Sequence, residues 1–173
     1  DSFEYSGSPA IRPADFQELN LLNERLNVGP ELITNGDFSN GTTGWSNDAT
    51  PTFTVSGGGV ASVGRNGYGP ATGQCYQTIA TEVGKIYAVS VLVNAISNGF
   101  QVYAWQDAEG SGNNLMTQGA TNSTGEQYWT FTAVSTSTRL DFSAVQNVNG
   151  TASFDNITIF DGVTDRSVYS KGL

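Results

Sequence analysis

Histidine is absent from the chain, and cysteine and methionine occur once each. Without an imidazole there is no base of the usual kind to activate a serine or cysteine nucleophile, no near-neutral proton shuttle, and none of the ligand that most zinc sites use. The single thiol, Cys75, excludes an intrachain disulfide, so stability must come from packing or from a bound metal. Lying within a predicted strand, it reads as a small core residue rather than a reactive group. Charge is scarce as well, at 13% of residues, and the shortage falls on the positive side. Seven Lys and Arg against sixteen Asp and Glu give a net charge of −9. That balance argues against nucleic acid, whose phosphates need Lys and Arg, and suits an extracellular protein whose carboxylates can gather calcium. No apolar run approaches the roughly 20 residues of a membrane-spanning helix, so no membrane insertion is expected. The first residue is Asp, not Met, which fits a processed chain or a fragment of a longer one; the missing signal peptide therefore carries little weight.

What is abundant is Gly, Ser, Thr and Asn, the composition of short strands joined by polar turns. Charge divides the chain: residues 1–31 hold 8 charged residues and the following 142 hold 15. The predicted organisation is an N-terminal arm and helix over 1–30, a β-domain over 31–161 and a linker or assembly tail over 162–173. Residues 1–13, with Pro9 and Pro13, read as an extended arm. Asp15 and Glu18 then fit a capping box, and Phe16, Leu19, Leu22 and Leu26 fall on one face of a short helix over about 15–27. Val28-Gly29-Pro30 stops it. Eleven residues or so between cap and stop are fewer than the roughly 12 to 15 that hold alone in water. The helix's stripe must therefore dock, either on the sandwich's own edge or on a neighbouring subunit, as in a trimer.

From Leu32 the period changes from helical to alternating. Gly-rich turns punctuate predicted strands at 32–38, 52–56, 59–63, 74–80, 85–95, 100–107, 128–134, 138–145 and 152–160. Many short strands at this spacing predict an all-β fold, a sandwich or jelly roll of two antiparallel sheets. Alternation assigns the faces: Tyr87, Val89, Val91 and Val93 inward, Phe100, Val102 and Ala104 inward, and Trp129, Phe131 and Ala133 inward. The opposite face of the 100–107 strand carries Gln101, Tyr103, Trp105 and Asp107, two aromatic rings interleaved with an amide and a carboxylate. A pyranose offers apolar C–H faces and equatorial hydroxyls, so flat rings beside planar hydrogen-bonding groups are the chemistry that holds one. Tyr68, Tyr76 and Tyr128 could flank them. The plainer alternative is that Tyr103 and Trp105 are core, or pack under the N-terminal helix.

The run LITNGDF (32–38) with Gly44-Trp45, the Gln77 segment leading to GKIYAVS (84–90), FTA (131–133) with 136–142, and GTASFDNI (150–157) together resemble carbohydrate-binding modules of families 4, 9 and 22. The likeness covers about residues 31–160, with its markers in order. It implies a jelly roll with one structural calcium where the first strand, an early turn and the last strand converge. The matching positions are Asp37 (chiefly its carbonyl), a carbonyl of the Gly57–Gly59 turn centred on Gly58, and Asp155. Calcium takes six to eight hard oxygens, which carbonyls of Gly-rich turns and a carboxylate can supply. Many relatives have Glu where this chain has Ser39, so one carboxylate ligand is missing. The alternative is that Asp37 caps a turn and Asp155 accepts hydrogen bonds from nearby backbone. The family resemblance also implies glycan bound across the concave sheet, without fixing the residues.

The segment 165–173 (DRSVYSKGL) is similar to a junction that follows such modules in bacteriophage tail and virion structural proteins. Two readings result. One is a non-catalytic carbohydrate-binding module on a virion surface or secreted protein, holding a glycan or host polysaccharide. The other is a structural component of a phage particle that reuses the fold for assembly, with Phe16, Leu19, Leu22 and Leu26 as subunit contacts, for example in a homotrimer. No enzymatic activity is expected: Asp107 and Glu109 could be a glycosidase pair but sit at a Gly-rich turn, and Gly64–Gly69 lacks the Lys and helix of a phosphate cradle.

Overall fold

The computed structural model describes residues 31–47, 53–65, 74–106, 113–145 and 150–161. The arm and helix expected over 1–30, and the tail over 162–173, lie outside the described residues. Nine strands follow in order: β1 (Ser46–Asn47), β2 (Phe53–Val55), β3 (Ala61–Arg65), β4 (Gln74–Ala80), β5 (Ile86–Ser97), β6 (Phe100–Gln106), β7 (Gly125–Thr132), β8 (Ser137–Ala144) and β9 (Gly150–Asp161). They form a four-stranded sheet ordered β1-β4-β8-β6 and a five-stranded sheet ordered β2-β3-β9-β5-β7. Every pairing is antiparallel. The described residues thus form a β-sandwich and include no helix.

The period-2 pattern explains the core. Tyr87, Val89, Val91 and Val93 of β5, Phe100, Val102 and Ala104 of β6, and Trp129 and Phe131 of β7 with Ala133 just beyond it are all buried, as the alternation predicts. Aromatic rings link the two sheets. Phe154 of β9 lies 4.9 Å from Phe100 of β6 and 6.1 Å from Phe142 of β8, ring centre to ring centre. Such pairs contribute about 0.5–1.5 kcal/mol each beyond their buried area.

The opening segment departs from expectation. LITNGDF predicts a strand over 32–38, but no strand forms there, because Asn35 (φ 53°) and Phe38 (φ 49°) turn the backbone into the left-handed region. The segment still lies along the last strand. Leu32 N–H donates to the Ile159 carbonyl (3.4 Å), and Ile157 N–H donates to the Gly36 carbonyl (2.9 Å). Glu31 Oε1 accepts from both Ile33 N–H (3.0 Å) and Ile159 N–H (2.9 Å). It therefore takes the position beside β9 that β3, paired only with 150–154, leaves open. Gly36 makes this approach possible, since a Cβ there would collide with the Ile157 carbonyl oxygen.

The stretch 113–121 closes the opposite side of the sandwich. It bonds to the edge of the four-stranded sheet through Leu115 N–H to Ala104 O and a mutual Phe100/Thr121 pair. It bonds to the edge of the other sheet through Thr117 N–H to Thr130 O (2.9 Å) and Thr130 N–H to Gln118 Oε1 (2.8 Å). Edge groups that could template aggregation are thereby occupied.

Candidate functional site

The outer face of the four-stranded sheet is built row by row from the register. Tyr103, Asp141, Tyr76 and Ser46 are successive partners across β6, β8, β4 and β1. Beside that row stand Trp105, Arg139 and Thr78 on one side, and Gln101, Ser143 and Gln74 on the other. Because alternate residues of β8 face the core (Leu140, Phe142, Ala144), the intervening Arg139, Asp141 and Ser143 belong to this outer face.

Its floor is polar and buried. Asp141 is 1% exposed and Arg139 8%. Burying two such charges is costly unless they are paired and hydrogen-bonded, and here they are. Arg139 Nε–H donates to Asp141 Oδ1 at 2.6 Å. Trp105 Nε1–H donates to Asp141 Oδ2 at 2.7 Å. The Arg139 guanidinium also sits 3.5 Å over the centre of the Tyr76 ring, within cation–π range. One carboxylate thus fixes both the cation and the indole.

Above this floor Tyr103 and Trp105 are half-buried. Their rings are parallel to within 9°, with centres 5.4 Å apart. Gln101, also half-buried, shares their face. Of the sequence-predicted site residues, then, Gln101, Tyr103 and Trp105 come together, and Tyr76 joins them. Tyr68 and Asp107 lie outside the described residues. Tyr128 does not belong to the group: it stands on β7 opposite Ser90 of the five-stranded sheet, 61% exposed. There its hydroxyl donates to Glu126 Oε2 (2.8 Å), which holds the phenol above its ordinary pKa. The alternation of β7 placed Tyr128 outward correctly but could not say which sheet β7 joins.

Asp141 and Arg139 were not foreseen. Their signal is a pair of opposite charges two residues apart inside TRLDFSA, a run otherwise apolar enough to be central. Asp141 also acts beneath the sheet. Cys75 is fully buried, and burial first, then the charge of Asp141, pushes its thiol well above the ordinary value.

The three positions matched to calcium lie near the junction of first segment and last strand. Gly59 approaches the Asp37 carbonyl so closely that a Cβ would lie 2.9 Å from that oxygen, so only a glycine leaves it open. Gly58 stands in the same turn, which Gly59 N–H closes on the Ser56 carbonyl (3.0 Å). The carboxylates turn to their neighbours: Asp37 Oδ1 accepts from Ser39 N–H and Oγ–H, which holds it below the ordinary carboxylate value. Asp155 Oδ1 accepts from Asn156 N–H at 2.7 Å. Among the described residues no three carboxylate, His or Cys groups converge. The oxygen that the fold sets against the Gly57–Gly59 turn is the backbone carbonyl of Asp37. Phe16, Leu19, Leu22 and Leu26 lie outside the described residues.

No protein-family model matches the chain and no curated protein matches it. Solved structures do: one, described as "CBM4 structure and function", is 19% identical with a TM-score of 0.53, over 75% of this chain and 99% of its own. The likeness is one of fold: the two-sheet sandwich described above is similar to that of this solved structure.

Proposed function

We propose that this chain is a non-catalytic carbohydrate-binding module that holds a glycan across the outer face of its four-stranded sheet. The observation that carries this reading is the parallel Tyr103–Trp105 pair, half-exposed, with the indole tied to a buried carboxylate. A flat ring of fixed orientation offers a sugar's C–H face a surface that loses little rotamer freedom on binding. Gln101 stands beside it as a donor and acceptor for hydroxyls. The fold likeness to a carbohydrate-binding module supports the same reading. A structural calcium is part of the proposal, held by the carbonyls of Asp37 and the Gly58 turn with Asp155 beside them.

The test is a glycan array probed with the chain and with Trp105→Ala. Binding by the wild type that the substitution abolishes is the expected result. A folded wild type that binds nothing would overturn the sugar reading and leave the structural role in a particle.

A further inference from the structure

Four large apolar side chains are exposed among the described residues: Val83 (65%), Ile86 (44%), Val134 (47%) and Tyr128. Three of them gather at one end of the sandwich. Gly84 N–H donates to the Ala133 carbonyl (2.8 Å) and Ala133 N–H to the Lys85 carbonyl (2.9 Å), which sets the β4–β5 and β7–β8 turns side by side. Ile86, opposite Thr132, begins β5 at the same place. Its outer face continues into Ala88, partnered by Phe160, which is only half-buried. A single exposed Val or Ile needs no explanation, but a cluster rimmed by the Glu82–Lys85 ion pair does.

This is also the end where the sandwich begins and finishes. Asp161, the last residue of β9, pairs with Tyr87, next to Ile86. Leu32, at the start, donates its amide to Ile159. From Glu31 to Ile86 is about two strand spacings and three residues along, roughly 14 Å. The five residues from Leu26 to Glu31 reach at most about 17 Å. We propose that the Val83–Ile86–Val134 patch is the seat of this chain's own N-terminal segment, whose stripe Phe16, Leu19, Leu22 and Leu26 precedes Glu31 by that short tether. The tether is long enough for the apolar sequence stripe to cover the exposed patch. Covering both removes the cost of each from water. The proposal is independent of the glycan reading.

Two measurements on the full chain test it. Amide exchange is compared between wild type and a Leu19→Asp, Leu22→Asp double variant. The 83–87 and 133–135 amides are expected to exchange roughly tenfold faster in the variant, with 74–80 unchanged. Equal exchange in both would overturn the proposal. Zero-length carbodiimide coupling at high dilution, read by mass spectrometry, is expected to join Lys85 to Asp15, Glu18 or Glu24 within one chain. A product found only between chains would overturn it in favour of a second copy's segment on the patch.

Discussion

Asn35 ties the opening segment together from a single side chain. Its amide donates to the carbonyls of Gly41 (2.9 Å) and Thr43 (3.0 Å), its oxygen accepts from Asn40 N–H (3.0 Å), and its own carbonyl accepts the Trp45 indole N–H (2.9 Å). The short polar side chain also tolerates the left-handed backbone found there. Thr-Asn-Gly-Asp-Phe was visible in the sequence as a marker, but its meaning was not, because alternation describes extended chain and these residues fold back. Asp141 was hidden for another reason: alternation gives its face on β8 but not the Tyr103 and Trp105 that a neighbouring strand brings over it. Removing its carboxylate by Asp141→Ala takes this ion pair from the buried Arg139 guanidinium and frees the Trp105 indole. The expected loss in chemical denaturation is about 3–5 kcal/mol, the cost of breaking a buried ion pair from one side. An exposed ion pair would give less than about 1 kcal/mol, so the magnitude discriminates. Cys75 provides a second residue-level prediction. Its buried thiol stays protonated at pH 8, since burial raises its pKa. Iodoacetamide should therefore label the chain only after denaturation, and rapid labelling of the folded chain would contradict the packing described.

Among the elements, strands with a plain two-residue period were legible to within a few residues, and β4 was read at its full extent of Gln74–Ala80. The elements missed were those whose hydrogen bonds run through side chains or single backbone contacts. β1 is two residues long. The 113–121 seal relies on Asn114 and Gln118 amides, which accept from Ala104 and Thr130 N–H, and no periodicity announces that. Gln77 works in the same way. On a core-facing position of β4, opposite Leu140, it accepts Thr34 N–H (3.1 Å) and donates to the Thr34 carbonyl (2.6 Å), standing in for a neighbouring strand. Gln77→Ala removes both bonds and leaves the backbone groups of Thr34, an exposed residue, to water. About 1–3 kcal/mol should be lost, with faster amide exchange over 32–36 as the local signature. Unchanged exchange there would mean that contacts to β9 alone hold the segment.

On the scale of the whole molecule, the sandwich is closed on one side by 113–121 and on the other by the 31–45 segment laid along β9. The second closure depends on fewer backbone bonds. Three stretches distant in sequence meet there: the Asp37 turn, the Gly57–Gly59 turn and the start of the Asp155–Ile159 half of β9. The proposed calcium would join all three through their oxygens, and its charge would offset part of the chain's −9. A cation bound only by the folded state stabilises by mass action, about 4 kcal/mol at a thousand times its dissociation constant. For a domain of this size each kcal/mol moves the melting midpoint by roughly 2–4 °C. Chelator should therefore lower the midpoint by about 8–16 °C, and added calcium should restore it. Gly59→Ala, at φ 81° and against the Asp37 carbonyl, should weaken that restoration as well as the fold. A midpoint indifferent to chelator and calcium would mean that Asp37 and Asp155 serve only the turns they cap, and that packing of Phe38 against Phe154, 5.9 Å apart, suffices to keep the first segment on the last strand.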